Sequence, residues 1–175
     1  MSGSDFRLGL TSLKRTPGAR HEFSFEAAFG EAVDTGLVCL PGAQPVMVEG
    51  VMESVGDGVL VTANAAVTLS AQCSRCLTQF SLPVEVSLRE LFIYPEHGQE
   101  YEDEDVSFIH EESVDLESAL RDEIILGQPL IQLCKPDCLG LCPVCGLDRN
   151  ADPAHSHDEA IDTRWLSLSQ WGKLS

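Results

Sequence analysis

The sequence predicts an α+β chain: mainly antiparallel β, as a sheet or a partly open barrel, with one central helix and a Cys-rich end. Three observations predict it. Apolar and polar residues alternate at period two through much of residues 22–88, the pattern of half-buried strands. One stretch, residues 115–127, has helical spacing together with a start and a stop signal. Of the seven cysteines, all but Cys39 fall into short pairs.

The totals set the class. A chain of 175 residues is long enough for one domain with a real core, or for one domain with a small appendage. An apolar fraction of 43% and a mean hydropathy near zero describe a globular, soluble chain. The formal net charge of −17 repels phosphate backbones at long range, which argues against broad nucleic-acid binding and suits a partner that is itself basic. No continuous apolar run follows the first charges, and no stretch approaches 18 apolar residues. The expectation is a cytoplasmic chain without signal peptide or membrane span, whose thiols stay reduced and serve metal or redox chemistry.

Taken in order, residues 1–21 form the one basic segment, with Arg7, Lys14, Arg15 and Arg20 against Asp5 alone. Such a segment is a solvated arm or a first strand, and its cations are candidate contacts for RNA. From Glu22 the chain turns β, with Phe23, Phe25, Ala27 and Phe29 alternating with polar or small residues. Val46, Val48, Gly50 and Met52 repeat the pattern. Gly56-Asp57-Gly58 signals a tight turn into a long Val/Thr/Ala-rich run over 59–71. Phe80, Leu82, Val84, Val86 and Leu88 then alternate cleanly, which puts the segment CSRCL (73–77) at the tip between two antiparallel strands. Pro83 marks an edge or a bulge in the second of them.

Residues 96–123 carry twelve acids against Arg121 alone. Their core, EYEDEDVSFIHEE, reads as a surface loop around a short strand at 106–109, or as an electrostatic docking face for a basic partner. The helix follows: Asp115 caps it, Glu117 suits the positive end of its dipole, and Leu116, Ala119, Leu120 and Ile124 keep its spacing. Gly127 and Pro129 stop it, and a short apolar lead runs into Cys134. A last short helix is expected from Asp162, burying Trp165, Leu168 and Trp171. The organisation expected is a β-rich domain over 1–133 and a Cys/His-rich, zinc-binding segment over 134–175 packed on it.

A Cys-x-x-Cys turn suits a tetrahedral zinc ion, since two thiolates about 2.3 Å from the metal need a tight turn whose N–H groups donate to sulfur. A single donor pair is a weak signal; here there are four candidate pairs, Cys73/Cys76, Cys134/Cys138, Cys142/Cys145 and His155/His157, two of them Cys-x-x-Cys. Three pairings are open. All of Cys134, Cys138, Cys142 and Cys145 can share one ion; Cys73/Cys76 can join Cys142/Cys145 as a ribbon; or two centres form. In the last case Cys73, Cys76, Cys134 and Cys138 hold one ion, and Cys142, Cys145, His155 and His157 hold a second. Joining groups about 60 residues apart costs on the order of 4 kcal/mol, whereas structural zinc in small peptides returns roughly 10–16 kcal/mol. The two-centre pairing is favoured because it uses every clustered Cys and the close His pair. The expectation is therefore one or two structural Zn2+ ions in zinc knuckles, with no catalytic residue and no small-molecule substrate.

Two other functions compete with this one. A thiol–disulfide oxidoreductase using Cys73/Cys76 would need a helix straight after the motif, and a strand pattern follows instead. A zinc-ribbon nucleic-acid regulator would need a basic reading surface.

The segments CSRCL at 73–77, DEIILGQPLIQLC at 122–134, CLGLCPVCGLDRN at 138–150 and IDTRWLSL at 161–168 resemble the YceD family, the large ribosomal RNA subunit accumulation proteins. The resemblance implies a bacterial or organellar, non-enzymatic factor of ribosome biogenesis that supports accumulation of large-subunit rRNA. Its implied partners are the large-subunit rRNA precursor, a basic ribosomal protein, or both. Any direct RNA contact would use a local patch drawn from Arg7, Lys14, Arg15, Arg20, Arg75 and Lys135. In the family pattern a Cys-x-Cys usually follows the second knuckle, where this chain has His155-x-His157. Imidazole replaces thiolate on zinc, so that change keeps a complete donor set.

Overall fold

The longest alternating runs in the sequence build the spine of the fold. In the computed structural model, which describes residues 6–101 and 106–157, nine strands and one helix follow in the order that the sequence suggests. They are β1 (Arg7–Gly9), β2 (Arg20–Ala28), β3 (Val33–Asp34), β4 (Val38–Leu40), β5 (Pro45–Ser54), β6 (Gly58–Gln72), β7 (Gln79–Ile93), β8 (Ser107–Phe108), β9 (Ser113–Asp115) and α1 (Glu117–Leu126). A 3-10 turn, Pro95–Tyr101, follows β7.

β6 pairs antiparallel with β7 along its whole length, from Gly58 opposite Ile93 to Gln72 opposite Gln79. Its other edge is shared, with β5 along residues 59–66 and β4 at 70–71. β2 extends the sheet beyond β5, β3 beyond β4, and β8 lies parallel to the end of β7. Among the described residues β2 pairs with β5 alone, so the sheet stays open and no barrel closes. Pro83 sits opposite Thr68 on a stretch of β7 that no further strand flanks among the described residues, the edge position that a proline tolerates.

One face of the sheet is the core. Along β6, Val59, Val61, Ala63, Ala65, Val67, Leu69 and Ala71 are all buried, while the residues between them face outward. Leu120 and Ile124 of α1 are fully buried in the same core. The N-cap is Leu116, which has no side-chain cap bond, rather than the expected Asp115; Asp115 ends β9 one residue earlier, and its carboxylate still accepts from the Glu117 N–H at 3.0 Å. The basic segment proves to be a first strand rather than a solvated arm. β1 pairs with β9 in a separate two-stranded ribbon, and Phe6, Leu10 and Leu13 are buried. The Phe6 ring stacks on Phe29 with centroids 4.6 Å apart.

The acidic stretch is described in part. β8 falls inside the expected 106–109, residues 102–105 lie outside the described residues, and so do residues 158–175 with the helix expected from Asp162. No helix among the described residues is long and apolar enough to cross a membrane.

The Gly56-Asp57-Gly58 turn closes with the Val55 N–H donating to the Gly58 carbonyl at 3.0 Å. Its two glycines do different things. A Cβ on Gly58 would stand 1.9 Å from the Phe92 carbonyl oxygen, whereas one on Gly56 would meet nothing within 4 Å. Gly58→Ala is therefore expected to lower stability by about 2–3 kcal/mol through the forced shift of β7. Gly56→Ala should stay within about 0.5 kcal/mol of the parent. Chemical denaturation of the two variants checks this, and equal losses would contradict it.

Candidate metal centres

Two short turns of one shape hold the Cys-x-x-Cys motifs. In the first, the Cys73 N–H donates to the Thr78 carbonyl and the Leu77 N–H to the Cys73 carbonyl, both at 2.9 Å. In the second, the Cys142 N–H donates to the Leu147 carbonyl at 2.7 Å and the Gly146 N–H to the Cys142 carbonyl at 2.8 Å. The residue after the second cysteine is left-handed in each, with φ of 61° at Leu77 and 74° at Gly146. This backbone turns its N–H groups toward the sulfurs of its own motif, as a metal thiolate requires.

The structure brings together the side chains of the two-centre pairing. Cys73, Cys76, Cys134 and Cys138 form one group, and Cys142, Cys145, His155 and His157 a second; within each, the donor atoms all lie within 4.8 Å of one another. The four cysteines of 134–145 do not share a point, and the knuckles at 73 and 142 do not join as a ribbon. In the first group the Cys73 and Cys138 sulfurs are 3.7 Å apart, and those of Cys76 and Cys134 are 3.6 Å apart. Four bonds of about 2.3 Å at the tetrahedral angle put sulfurs about 3.8 Å apart. A disulfide needs about 2.05 Å, and all seven cysteines are free. In the second group Cys145 Sγ lies 3.2 Å from Nε2 of both histidines, and the two Nε2 atoms are 2.9 Å apart. Lone pairs that converge so closely repel one another unless protons or a cation come between them. A four-donor set of sulfur, or of sulfur and imidazole, at these spacings fits a tetrahedral metal ion, and either group can hold one.

The first group is enclosed. Cys73, Cys76 and Cys138 are buried and form a small apolar cluster with Phe80, Leu133, Cys134 and Leu141. Two bonds clamp the knuckle to the incoming chain: the Ser74 N–H donates to the Gln132 carbonyl at 2.8 Å, and the Gln132 N–H to Ser74 Oγ at 3.2 Å. Arg75 Nη1 donates to the Cys138 carbonyl at 2.8 Å, so this cation braces the loop rather than only facing solvent. Burial pushes the Cys73 thiol up, but the backbone at Cys134, Cys76 and Arg75 hydrogen-bonds its sulfur and brings it down to about 6. The Thr78 hydroxyl and N–H lower Cys76, whereas burial and the neighbouring thiols push Cys134 up to about 12. The second group is more open, with Cys142 buried, His155 half-buried, and Cys145 and His157 exposed. Backbone N–H groups at Cys145 and Val144 hold Cys142 at about 6.

Sequence reasoning missed Asn150, which ties the chain leaving the second knuckle to the first group. Its Nδ2 lies 3.4 Å from Cys138 Sγ and its Oδ1 accepts from the Leu139 N–H at 3.0 Å. Asp148 fixes its orientation through the Asn150 N–H at 2.9 Å and Nδ2 at 2.7 Å. An Asp-x-Asn placed just after the second knuckle is the one signal that pointed to it.

The remaining candidates are scattered. Cys39 lies in β4 opposite Ser70, apart from both groups. Among the candidate RNA cations, Arg15 pairs with Glu96 and Glu112 and lies over the Tyr94 ring, and Arg20 pairs with Glu53 at 2.8 Å. The CSRC motif is followed by β7, not by a helix that would activate a thiolate.

Comparison with known proteins places this geometry in context. The chain matches, over residues 61–171, the model of a family described as Large ribosomal RNA subunit accumulation protein YceD. An uncharacterized protein of Mycobacterium tuberculosis is 34% identical over 167 residues, covering 94% of this chain and 80% of the relative. One from Mycobacterium leprae is 31% identical over 162 residues, covering 91% of this chain and 74% of its own length. The uncharacterized protein YlbN of Bacillus subtilis is 29% identical over 99 residues, 56% of this chain and 57% of that relative. No solved structure matches the chain.

Proposed function

The chain belongs to the YceD family of large ribosomal RNA subunit accumulation proteins, and from that premise we propose that it is a non-enzymatic factor of large-subunit biogenesis with two structural zinc ions. Family membership is the observation that carries the role. The donor sets support the zinc reading. Each supplies four protein ligands, which closes a tetrahedral shell and leaves no position for a reacting water. On this reading residues 134–175 form a zinc-bearing segment on a β-rich domain, with Cys73 and Cys76 supplying half of its first centre. The protein acts in the cytoplasm, where its thiols stay reduced. A chain of net charge −17 meets its rRNA target through a basic ribosomal protein rather than by gripping phosphates itself.

Two measurements test this. Metal content per chain is expected to be two zinc ions in the parent and one in each of Cys134→Ser and His157→Ala. A single ion indifferent to His157 would remove the second centre. A strain lacking the protein should hold less mature large-subunit rRNA than its parent, at unchanged small-subunit rRNA; an unaltered ratio would sink the biogenesis role.

A further inference from the structure

Between α1 and β7 runs a groove of about 390 Å3 that has no part in either metal centre. Four acids line it, among them Glu90, Asp122 and Glu123, against one cation, Arg89. Leu126, the last residue of α1, lines it as well and is 80% exposed. The chain leaving the helix then presents Leu130 at 83% and Ile131 at 69% exposure, just before the lead into Cys134. Three large aliphatic side chains thus stand exposed within six residues of chain, the first of them on the groove itself. Gln128 and Gln132 hold this backbone in place, donating to the Ile124 and Pro129 carbonyls at 2.9 Å each.

We propose that this surface docks a cationic, leucine-bearing polypeptide segment, with aliphatic side chains on Leu126, Leu130 and Ile131 and Lys or Arg side chains over the acids of the groove. Charge complementarity selects that occupant. A second copy of this chain would bring another net charge of −17 against the same acids, and RNA would bring phosphates against them. The apolar rim supplies contact area, and the acids set orientation and speed of encounter. The proposal rests on the assembly-factor reading and names the surface that meets the basic partner.

The test uses the full zinc-loaded chain and two synthetic peptides. One has leucines at helical spacing among lysines; its twin has serine for every leucine. The leucine peptide should bind at least ten-fold more tightly than the twin. Leu130→Ser/Ile131→Ser should abolish that preference, and Asp122→Lys/Glu123→Lys should weaken both peptides, more so at low salt. Met47→Ser, which removes another exposed apolar side chain at a distance in the sheet, should change neither. All five positions are on the surface, so unaltered thermal unfolding shows that the variants fold. Equal binding of the two peptides overturns the proposal, as does parent-like binding by Leu130→Ser/Ile131→Ser. A dimer that this variant breaks, or an RNA oligonucleotide whose binding it abolishes, overturns it too. Trp165 and Trp171 are the only tryptophans, so an emission change in that variant without peptide would assign the patch to the chain's own end and overturn it likewise. Equal peptide binding alongside two bound metals and an rRNA deficit in the deletion strain would overturn this surface alone and leave the family role standing.

Discussion

Replacing Cys138 with Ser is expected to release residues 132–157 from the hairpin tip while the sheet stays folded. Cys138 is 1% exposed, its sulfur lies 3.7 Å from that of Cys73, and its carbonyl receives the Arg75 guanidinium. A structural zinc bound with about 10–16 kcal/mol still contributes about 2–8 kcal/mol when free metal is held near 1 μM, because about 8 kcal/mol is the value at that reference concentration. Without metal, the same substitution in a packed thiol cluster would cost only about 1 kcal/mol. Hydrogen exchange separates the two cases. The Ser74, Leu141 and Arg149 amides, which donate to the Gln132, Arg75 and Gly140 carbonyls, should lose their protection, whereas the Cys142 amide, bonded to the Leu147 carbonyl inside the second knuckle, should keep its own. Amides in the β5–β6 ladder should keep theirs, since the main core is built without the first centre's cysteines. Protection retained at Leu141 and Arg149 would mean that packing, not a metal, holds this unit.

Much of this was legible in the sequence because it was written in periods and spacings. The Val/Thr/Ala-rich run over 59–71 and the period-two run over 80–88 specified β6 and β7, and with them the tip where Cys73 and Cys76 sit. The start signal at Asp115 and the stop at Gly127 bounded α1 to within two residues, although the N-cap itself is Leu116. The donor inventory favoured the two-centre pairing because other pairings left cysteines or histidines idle, and the structure groups the side chains in that way. Contacts between distant segments carry no local signal, and there the reading was open. Whether Phe6 floats or packs depends on Phe29 lying across from it, a fact of topology rather than of composition. The sharing of β6 among three strands, with β4 and β5 on one edge and β7 on the other, is likewise invisible to periodicity. Arg75 read as a candidate RNA contact, and Asn150 carried no role of its own. Each acquires its role only once Cys138 has been carried back to the hairpin tip.

Gly140→Val should loosen both centres at once, and that outcome follows from where the glycine stands. Residues 139–141 divide the two donor groups and are tied on both sides. The Leu139 N–H donates to Asn150 Oδ1, the Leu141 N–H to the Arg75 carbonyl, and the Gly140 carbonyl accepts from the Arg149 N–H, all at 3.0 Å. Gly140 has φ of +73°, and a Cβ there would meet the Arg75 carbonyl oxygen at 2.9 Å and the Arg75 Cβ at 3.1 Å. The left-handed conformation costs an L residue roughly 1–2 kcal/mol, and the crowding adds roughly 1–3 kcal/mol. A combined loss of about 2–5 kcal/mol corresponds to at least a ten-fold faster transfer of metal to a competing chelator. Because the displaced backbone adjoins Cys138 on one side and Cys142 on the other, both ions should be affected. Gly146→Ala is the control: φ is +74°, but nothing lies within 4 Å of the new Cβ, and the residue belongs to the second knuckle alone. Its cost should be about 1 kcal/mol, with faster transfer confined to one ion. If Gly140→Val released one ion and left the other at the parental rate, the two centres would be independent modules. The divider would then be no more than a spacer.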